Sequence, residues 1–278
     1  MKLASFILKD TRTWGVVDDD KVIDMGNICP TLKDALANGM LNSIAERVSR
    51  HEDWENLADV TLLPVIPNPD KIVCVGLNYK SHIEETGRSD SDYPVLFTRW
   101  ADTQIGSGEP MICPVNSSAY DYEGELAVIM GAEARHVKER DALGYIAGYS
   151  CYNDGSIRDW QRHTHQFTPG KNFPRTGGFG PWMVTTDEIP DPSSLRLQTR
   201  LNGDVLQDAT TDLLIFSVPF LIEYISSFTM LRPGDVIVTG TPGGVGFKRN
   251  PPLFMKDGDT VEIDIDKIGV LSNPVRDE

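Results

Sequence analysis

The sequence predicts an α+β chain in which strands dominate, and three observations carry that reading. Short runs rich in Val, Ile, Leu and Thr, bounded by Gly, Pro or Asn, recur from end to end. Asn202-Gly203 stands between two such runs as a two-residue hairpin signal. Apolar residues at helical spacing are confined to a few short stretches, chiefly 32–38, 41–51 and 216–227.

Taken in order, residues 1–8, 13–17 and 21–25 read as strands, the first two as a hairpin, and the helices over 32–38 and 41–51 follow. No residues here combine into a chemical site. The stretch Leu63-Pro64-Val65-Ile66-Pro67-Asn68-Pro69-Asp70 is dense in proline, which suits an extended linker. The boundary is placed there, with a small N-terminal α/β accessory domain over 1–66 and the main domain over 67–278. In the main domain 71–75 is a short buried strand, and Asn78 or Ser81 is placed to cap a short helix. A polar loop over 86–92 and a strand over 94–98 ending at Arg99 come next. Residues 142–149 fit a helix or a strand. The hairpin strands cover 196–201 and 205–208, further strands 236–239 and 260–266, and a tail begins at Leu271.

Composition excludes several classes. A net charge of −15 argues against nucleic-acid and anionic-membrane binding, since both need a basic face. Cys29, Cys74, Cys113 and Cys151 are scattered without a C-x-x-C pair, which reads as reduced thiols rather than a disulfide frame or zinc site. The apolar run near the N-terminus is too short for a signal segment or a membrane span, so the expected location is cytoplasmic.

The chemistry gathers around Asp121-Tyr122-Glu123-Gly124-Glu125, which runs into an apolar β-branched segment. On a strand, residues two apart share a face, so Glu123 and Glu125 aim side by side. Two carboxylates held that close need a cation or a shared proton, and an oxygen-only set suits Mg²⁺ or Mn²⁺. By spacing alone, an edge strand with two solvated glutamates is the commoner outcome. Asp154, before a turn glycine, is placed to add a third carboxylate. His82 and Glu85 stand at i and i+3, where the carboxylate can orient an imidazole base, although such pairs are more often surface ion pairs. Gly170-Lys171 fails as a phosphate loop for want of the upstream glycine and the following Ser or Thr. His163 and His165 would suit a transition metal only with a third ligand. The loop Gly240-Thr241-Pro242-Gly243-Gly244-Val245-Gly246 has backbone N–H groups suited to a carboxylate, but no helix follows it as a dinucleotide fingerprint requires.

The ordered set Gly76-Leu77-Asn78-Tyr79-x-x-His82, Asp121-Tyr122-Glu123-x-Glu125-Leu126-Ala127, Asn153-Asp154, Arg158-Asp159-x-Gln161, Gly170-Lys171-x-Phe173, Gly240-Thr241-Pro242 and Asn273-Pro274-Val275 resembles the fumarylacetoacetate hydrolase superfamily. Within it, the chain is similar to bacterial acylpyruvate hydrolases and 2-hydroxyhepta-2,4-diene-1,7-dioate isomerases of aromatic compound catabolism. The resemblance covers roughly 70–276. It implies a mixed β-sandwich roll, usually a homodimer, holding Mg²⁺ or Mn²⁺ on Glu123, Glu125 and Asp154. It implies that Lys171 and Gln161 stabilise a developing oxyanion, that His82 and Glu85 form the base dyad on a lid helix, and that Tyr79 and Thr241 lie near the substrate. Arg99 stands where many relatives have Lys, and is expected to bind a substrate carboxylate. Residues 162–166 and 173–178 are expected to shape the substrate pocket.

The leading activity the resemblance implies is hydrolysis of a 2,4-dioxo acid, such as fumarylpyruvate, maleylpyruvate or a diketo-deoxy sugar acid, to pyruvate and a carboxylic acid. His82, held by Glu85, takes a proton from the attacking water. The alternative on the same site is 2-oxo acid isomerisation or tautomerisation, oxaloacetate decarboxylation, or a hydratase or lyase reaction. Retention of His82 and Glu85 favours hydrolysis or decarboxylation. A non-catalytic metabolite-binding protein is the third reading, disfavoured because a carboxylate cluster without a cation costs stability.

Overall fold

The alternation along the strand Gly124–Met130 explains the layering of the molecule. All seven of its residues are buried. Leu126, Val128 and Met130 enter one apolar cluster, and Ala127 and Ile129 enter another on the opposite face. A strand covered on both faces has to be apolar throughout, which is how this stretch reads. The computed structural model describes residues 1–48, 54–87 and 91–278. The strand sits near the centre of a twelve-stranded sheet, paired antiparallel with Ile146–Asn153 and Val236–Val238. Beyond Val236–Val238 come Ile72–Gly76 and Val95–Arg99. Beyond Ile146–Asn153 come Gly177–Thr185, Lys2–Leu8, Thr11–Asp18 and Lys21–Asp24.

A second sheet of five strands, in the order Asp204–Thr210, Arg196–Leu201, Thr260–Ile265, Gly269–Asp277 and Met111–Cys113, packs on one face. Its Leu197, Ile263, Ile265 and Leu271 share a cluster with Leu126 and Val128. The sheets approach most closely at Gly124, where a Cβ would lie 2.1 Å from Thr199 Oγ1 and 3.1 Å from Ile263. The glycine between the two glutamates is therefore a packing requirement. Helices Leu32–Ala37 and Leu41–Val48 cover the other face, through Leu32, Leu36 and Ile44. The result is the expected strand-dominated α+β sandwich.

Several local expectations change. The first strand joins the main sheet, with Lys2 opposite Val184 and Leu3 opposite Met183. The proline-rich stretch is anchored along it rather than standing free: Leu63 N–H donates to Ser5 O, and Ser5 Oγ donates to Val65 O. The expected tail is the nine-residue strand Gly269–Asp277, whose alternating burial pairs it with Thr260–Ile265. The ambiguous 142–149 divides into a short helix, Glu139–Ala142, one 3₁₀ turn, and the strand from Ile146. The end of the expected helix over 41–51, and part of the polar loop over 86–92, lie outside the described residues. No helix among the described residues is long and apolar enough to cross a membrane.

Candidate active site

Glu123, Glu125 and Asp154 converge because two backbone segments meet at one end of the central strands. Gly124 pairs with Asn153, and Asp154 N–H donates to Glu123 O at 2.8 Å. One carboxylate oxygen from each of the three residues lies within 4.8 Å of the others, and all three residues are buried. Charge compensation follows at once. Lys171 Nζ is 2.6 Å from both Glu123 Oε2 and Asp154 Oδ2. Arg99 Nη1 donates to Asp154 Oδ1 at 2.7 Å. Arg158 Nε donates to Asp121 Oδ2 at 2.8 Å, and its Nη2 lies 2.6 Å from Glu123 Oε1 without hydrogen-bond alignment. Gly170 makes the approach of Lys171 possible, since a Cβ there would lie 2.4 Å from Gln161 N.

The glycine-rich loop cradles carboxylates, and they are the chain's own. Gly240 N–H donates to Glu125 Oε2, Gly244 N–H to Glu85 Oε2, and Gly246 and Phe247 N–H to Asp121. His82 lies on the helix Lys80–Thr86, which ends at Gly87 in the left-handed region at φ 67°. Its Nδ1 is 2.8 Å from Glu85 Oε1. A cavity of about 690 Å³ opens over the cage, walled by His82, Glu123, Glu125, Arg158, Gln161, Lys171 and Thr241. The base dyad and two cage carboxylates thus share one space.

Known proteins share the sequence and the fold. The sequence model of the fumarylacetoacetate (FAA) hydrolase C-terminal family matches residues 71–276. The chain belongs to the fumarylacetoacetate hydrolase family. It is 36% identical over 266 residues to an oxaloacetate tautomerase, described as mitochondrial, from Xenopus laevis, covering 93% of this chain and 83% of that one. A fumarylacetoacetate hydrolase structure from Exiguobacterium antarcticum superposes with a TM-score of 0.89 at 33% identity, covering both chains fully. A maleylpyruvate hydrolase from Sphingobium sp. SYK-6, solved with manganese(II) and pyruvate, superposes at 0.82 with 28% identity, covering 100% of this chain and 99% of that one.

As a fumarylacetoacetate hydrolase family enzyme, the chain has a donor set that fits a hard divalent ion. All three side chains offer carboxylate oxygens, the donors a hard divalent ion takes, within 4.8 Å of one another. Its electrostatics point the same way. Burial pushes the Glu125 carboxyl well above its usual range, and Asp154 and Glu123 push it further. Burial also pushes Glu123 up, but Arg158 and Lys171 outweigh it and bring its pKa to about 2. Burial works against the Lys171 ammonium, yet Asp154 and Glu123 raise its pKa overall.

Not every expected residue reaches the cavity. Arg99 does not line the cavity: it is buried, its Nη1 donates to Asp154 and Gly155 O, and its Nη2 donates to Thr176. The second oxygen of Asp154 needs a buried cation, and Arg99 supplies it. Tyr79 is also fully buried and off the cavity wall; its backbone opens the His82 helix. Neither Asn78 nor Ser81 caps that helix. Asn78 holds Phe216 and Thr239 backbone groups, and Ser81 Oγ accepts from Gly243 N–H. Thr241 does line the cavity, with its hydroxyl tied to Gly124 O and Gln207. Arg162, Thr164 and His165 line it too, whereas 173–178 do not. His163 stacks on Trp160 instead, and no three-residue metal group among the described residues includes either histidine. Arg158, quoted in the Arg158-Asp159-x-Gln161 motif but given no role there, also lines the cavity, and its Nη1 donates to Gln161 Oε1 at 2.9 Å.

Proposed function

We propose that this enzyme interconverts the keto and enol forms of a 2-oxo acid on a divalent ion, with oxaloacetate the first substrate to test. The observation that supports enol chemistry here is a base, His82 anchored by Glu85, on the same cavity as Glu123 and Glu125; a base there serves tautomerisation as well as the hydrolysis it was expected to favour, and the tautomerase among the relatives ranks the two. Mg²⁺ or Mn²⁺ held by Glu123, Glu125 and Asp154 supplies Lewis acidity to the 2-oxo oxygen. The side chains do the rest. Glu85 accepts from His82 Nδ1, which leaves Nε2 to take the proton from C3 as the 2-oxo oxygen gains one in enolisation, and to give a proton to C3 as the enol oxygen loses one in ketonisation. Gln161 gives its carbonyl to Arg158 and keeps its amide N–H groups to donate to a developing oxyanion. Lys171 holds Glu123 and Asp154 in register. Support for oxaloacetate comes from the tautomerase named among the relatives.

A second reading, hydrolysis of an acylpyruvate, is favoured by the cavity. At about 690 Å³ it is of the size that takes a drug-sized ligand and exceeds what a four-carbon acid fills. His82 then takes its proton from water rather than from C3. The dyad serves both reactions, so substrate decides between them. The test follows ketonisation of enolic oxaloacetate, and pyruvate release from fumaryl- and maleylpyruvate, each with Mg²⁺ or Mn²⁺. Acceleration of the first beyond metal alone is expected; rapid cleavage of an acylpyruvate with no effect on oxaloacetate puts the second reading first. A homodimer formed mainly through residues 70–278 belongs to either reading.

A further inference from the structure

We infer that Arg162 and Lys248, gathered around the ring of Phe247, form a second carboxylate site, so that the substrate is a 2-oxo diacid rather than a monoacid. The inference rests on the proposed 2-oxo acid chemistry and names its substrate class. Three cations surround one ring. The guanidinium carbons of Arg158 and Arg162 lie 4.4 and 4.6 Å from its centroid, and Lys248 Nζ lies 5.6 Å away. All four side chains line the cavity.

The three cations are not equivalent. Arg158 is turned inward, with Asp121 and Glu123 as its counter-charges. Arg162 and Lys248 are exposed, and neither has a carboxylate in ion-pair range among the described residues. Other exposed cations, such as Lys21 and Lys267, also lack an ion pair among the described residues, so what sets these two apart is their shared placement. Two cations left without an ion pair, on the same ring and facing the same cavity, mark a place for an anion brought from outside.

The spacing suits the two ends of a short diacid. Arg158 touches both the Phe247 ring and Glu123 of the cage, so one aromatic side chain separates the cage from the outer cations. With its 2-oxo carboxylate end at the cage, the substrate directs its other carboxylate to Arg162 and Lys248. Arg162 offers a planar two-pronged donor and Lys248 a point charge. A monoacid leaves both unpaired, so discrimination between the two substrate classes resides at this rim.

Calorimetric titration of the Mg²⁺-supplemented protein with oxaloacetate and with pyruvate tests this without relying on turnover. Wild type is expected to bind oxaloacetate at least tenfold more tightly. Arg162→Gln should weaken oxaloacetate about 10–100-fold, the range for losing a charge-assisted hydrogen bond, and leave pyruvate within about twofold. Arg162→Lys should recover part of the loss. Pyruvate binding also reports that each variant is folded. Equal affinity of wild type for the two acids overturns the proposal, as does an unchanged affinity ratio in an Arg162→Gln, Lys248→Gln double variant. If the diacid preference is present and Arg162-dependent but oxaloacetate is not tautomerised, the second carboxylate site stands and the assigned reaction falls.

Discussion

The inner cage and the outer rim of the cavity handle charge in opposite ways. Inside, Asp121, Glu123, Glu125 and Asp154 face Arg99, Arg158 and Lys171, all of them buried. The single excess negative charge falls on Glu125, whose carboxyl burial, Asp154 and Glu123 push well above its usual range. At the rim, Arg162 and Lys248 are exposed and have no carboxylate in ion-pair range among the described residues. The interior is one positive charge short of balance, which a cation on its carboxylates would offset. The rim is left unbalanced because water pays its solvation until an anionic ligand arrives.

The largest expected effect breaks the cage. Glu125→Ala should abolish divalent-ion binding and turnover, measured by Mn²⁺ titration and by the oxaloacetate assay, while the circular dichroism spectrum stays that of the wild type. Next is the base. His82→Ala should lower kcat about 10²–10⁴-fold, the range for a positioned general base, with ion affinity almost unchanged. Glu85→Ala should cost a smaller factor, because it only orients the imidazole. Normal turnover by His82→Ala would remove the dyad from the mechanism.

Two stability measurements sharpen the contrast. Lys171→Ala leaves Glu123 and Asp154 with one buried cation fewer, and should destabilise the ion-free protein by about 3–5 kcal/mol in denaturant titrations. Saturating Mg²⁺ should restore much of that loss, since the ion binds the same oxygens. A deficit untouched by Mg²⁺ would place the ion elsewhere. The smaller effect concerns pH. With the Glu125 pKa raised above its ordinary 4.5, the ion-free folded state keeps a proton that the unfolded chain releases. Its stability should therefore fall as pH rises from 4.5 toward the raised value, and Glu125→Gln should flatten that slope.

Much of this site was legible in sequence, for reasons that also explain the misses. Glu123, Glu125 and Asp154 lie beside apolar strands whose pairing brings Gly124 against Asn153; spacing alone favoured solvated glutamates, and the ordered set of motifs pointed to convergence. The His82–Glu85 pair depends only on one helical turn. Arg99 and Tyr79 stand equally close in the chain, but strand direction turns Arg99 away from the cavity toward Asp154 and Thr176. Such inward pairings span 55 and 77 residues, and no local periodicity reports them. The same holds for the N-terminal strand, whose partner Gly177–Thr185 lies well into the second half of the sequence. Proline content located the 63–70 stretch but not what it rests on.

The central claim is that one divalent ion on Glu123, Glu125 and Asp154 is required for enol chemistry in this cavity. It is tested most directly by titrating Mn²⁺ into chelator-stripped protein while following bound ion and oxaloacetate ketonisation in the same samples. Turnover should rise in proportion to occupancy and saturate at one ion per chain. Full turnover by the stripped protein would contradict the claim.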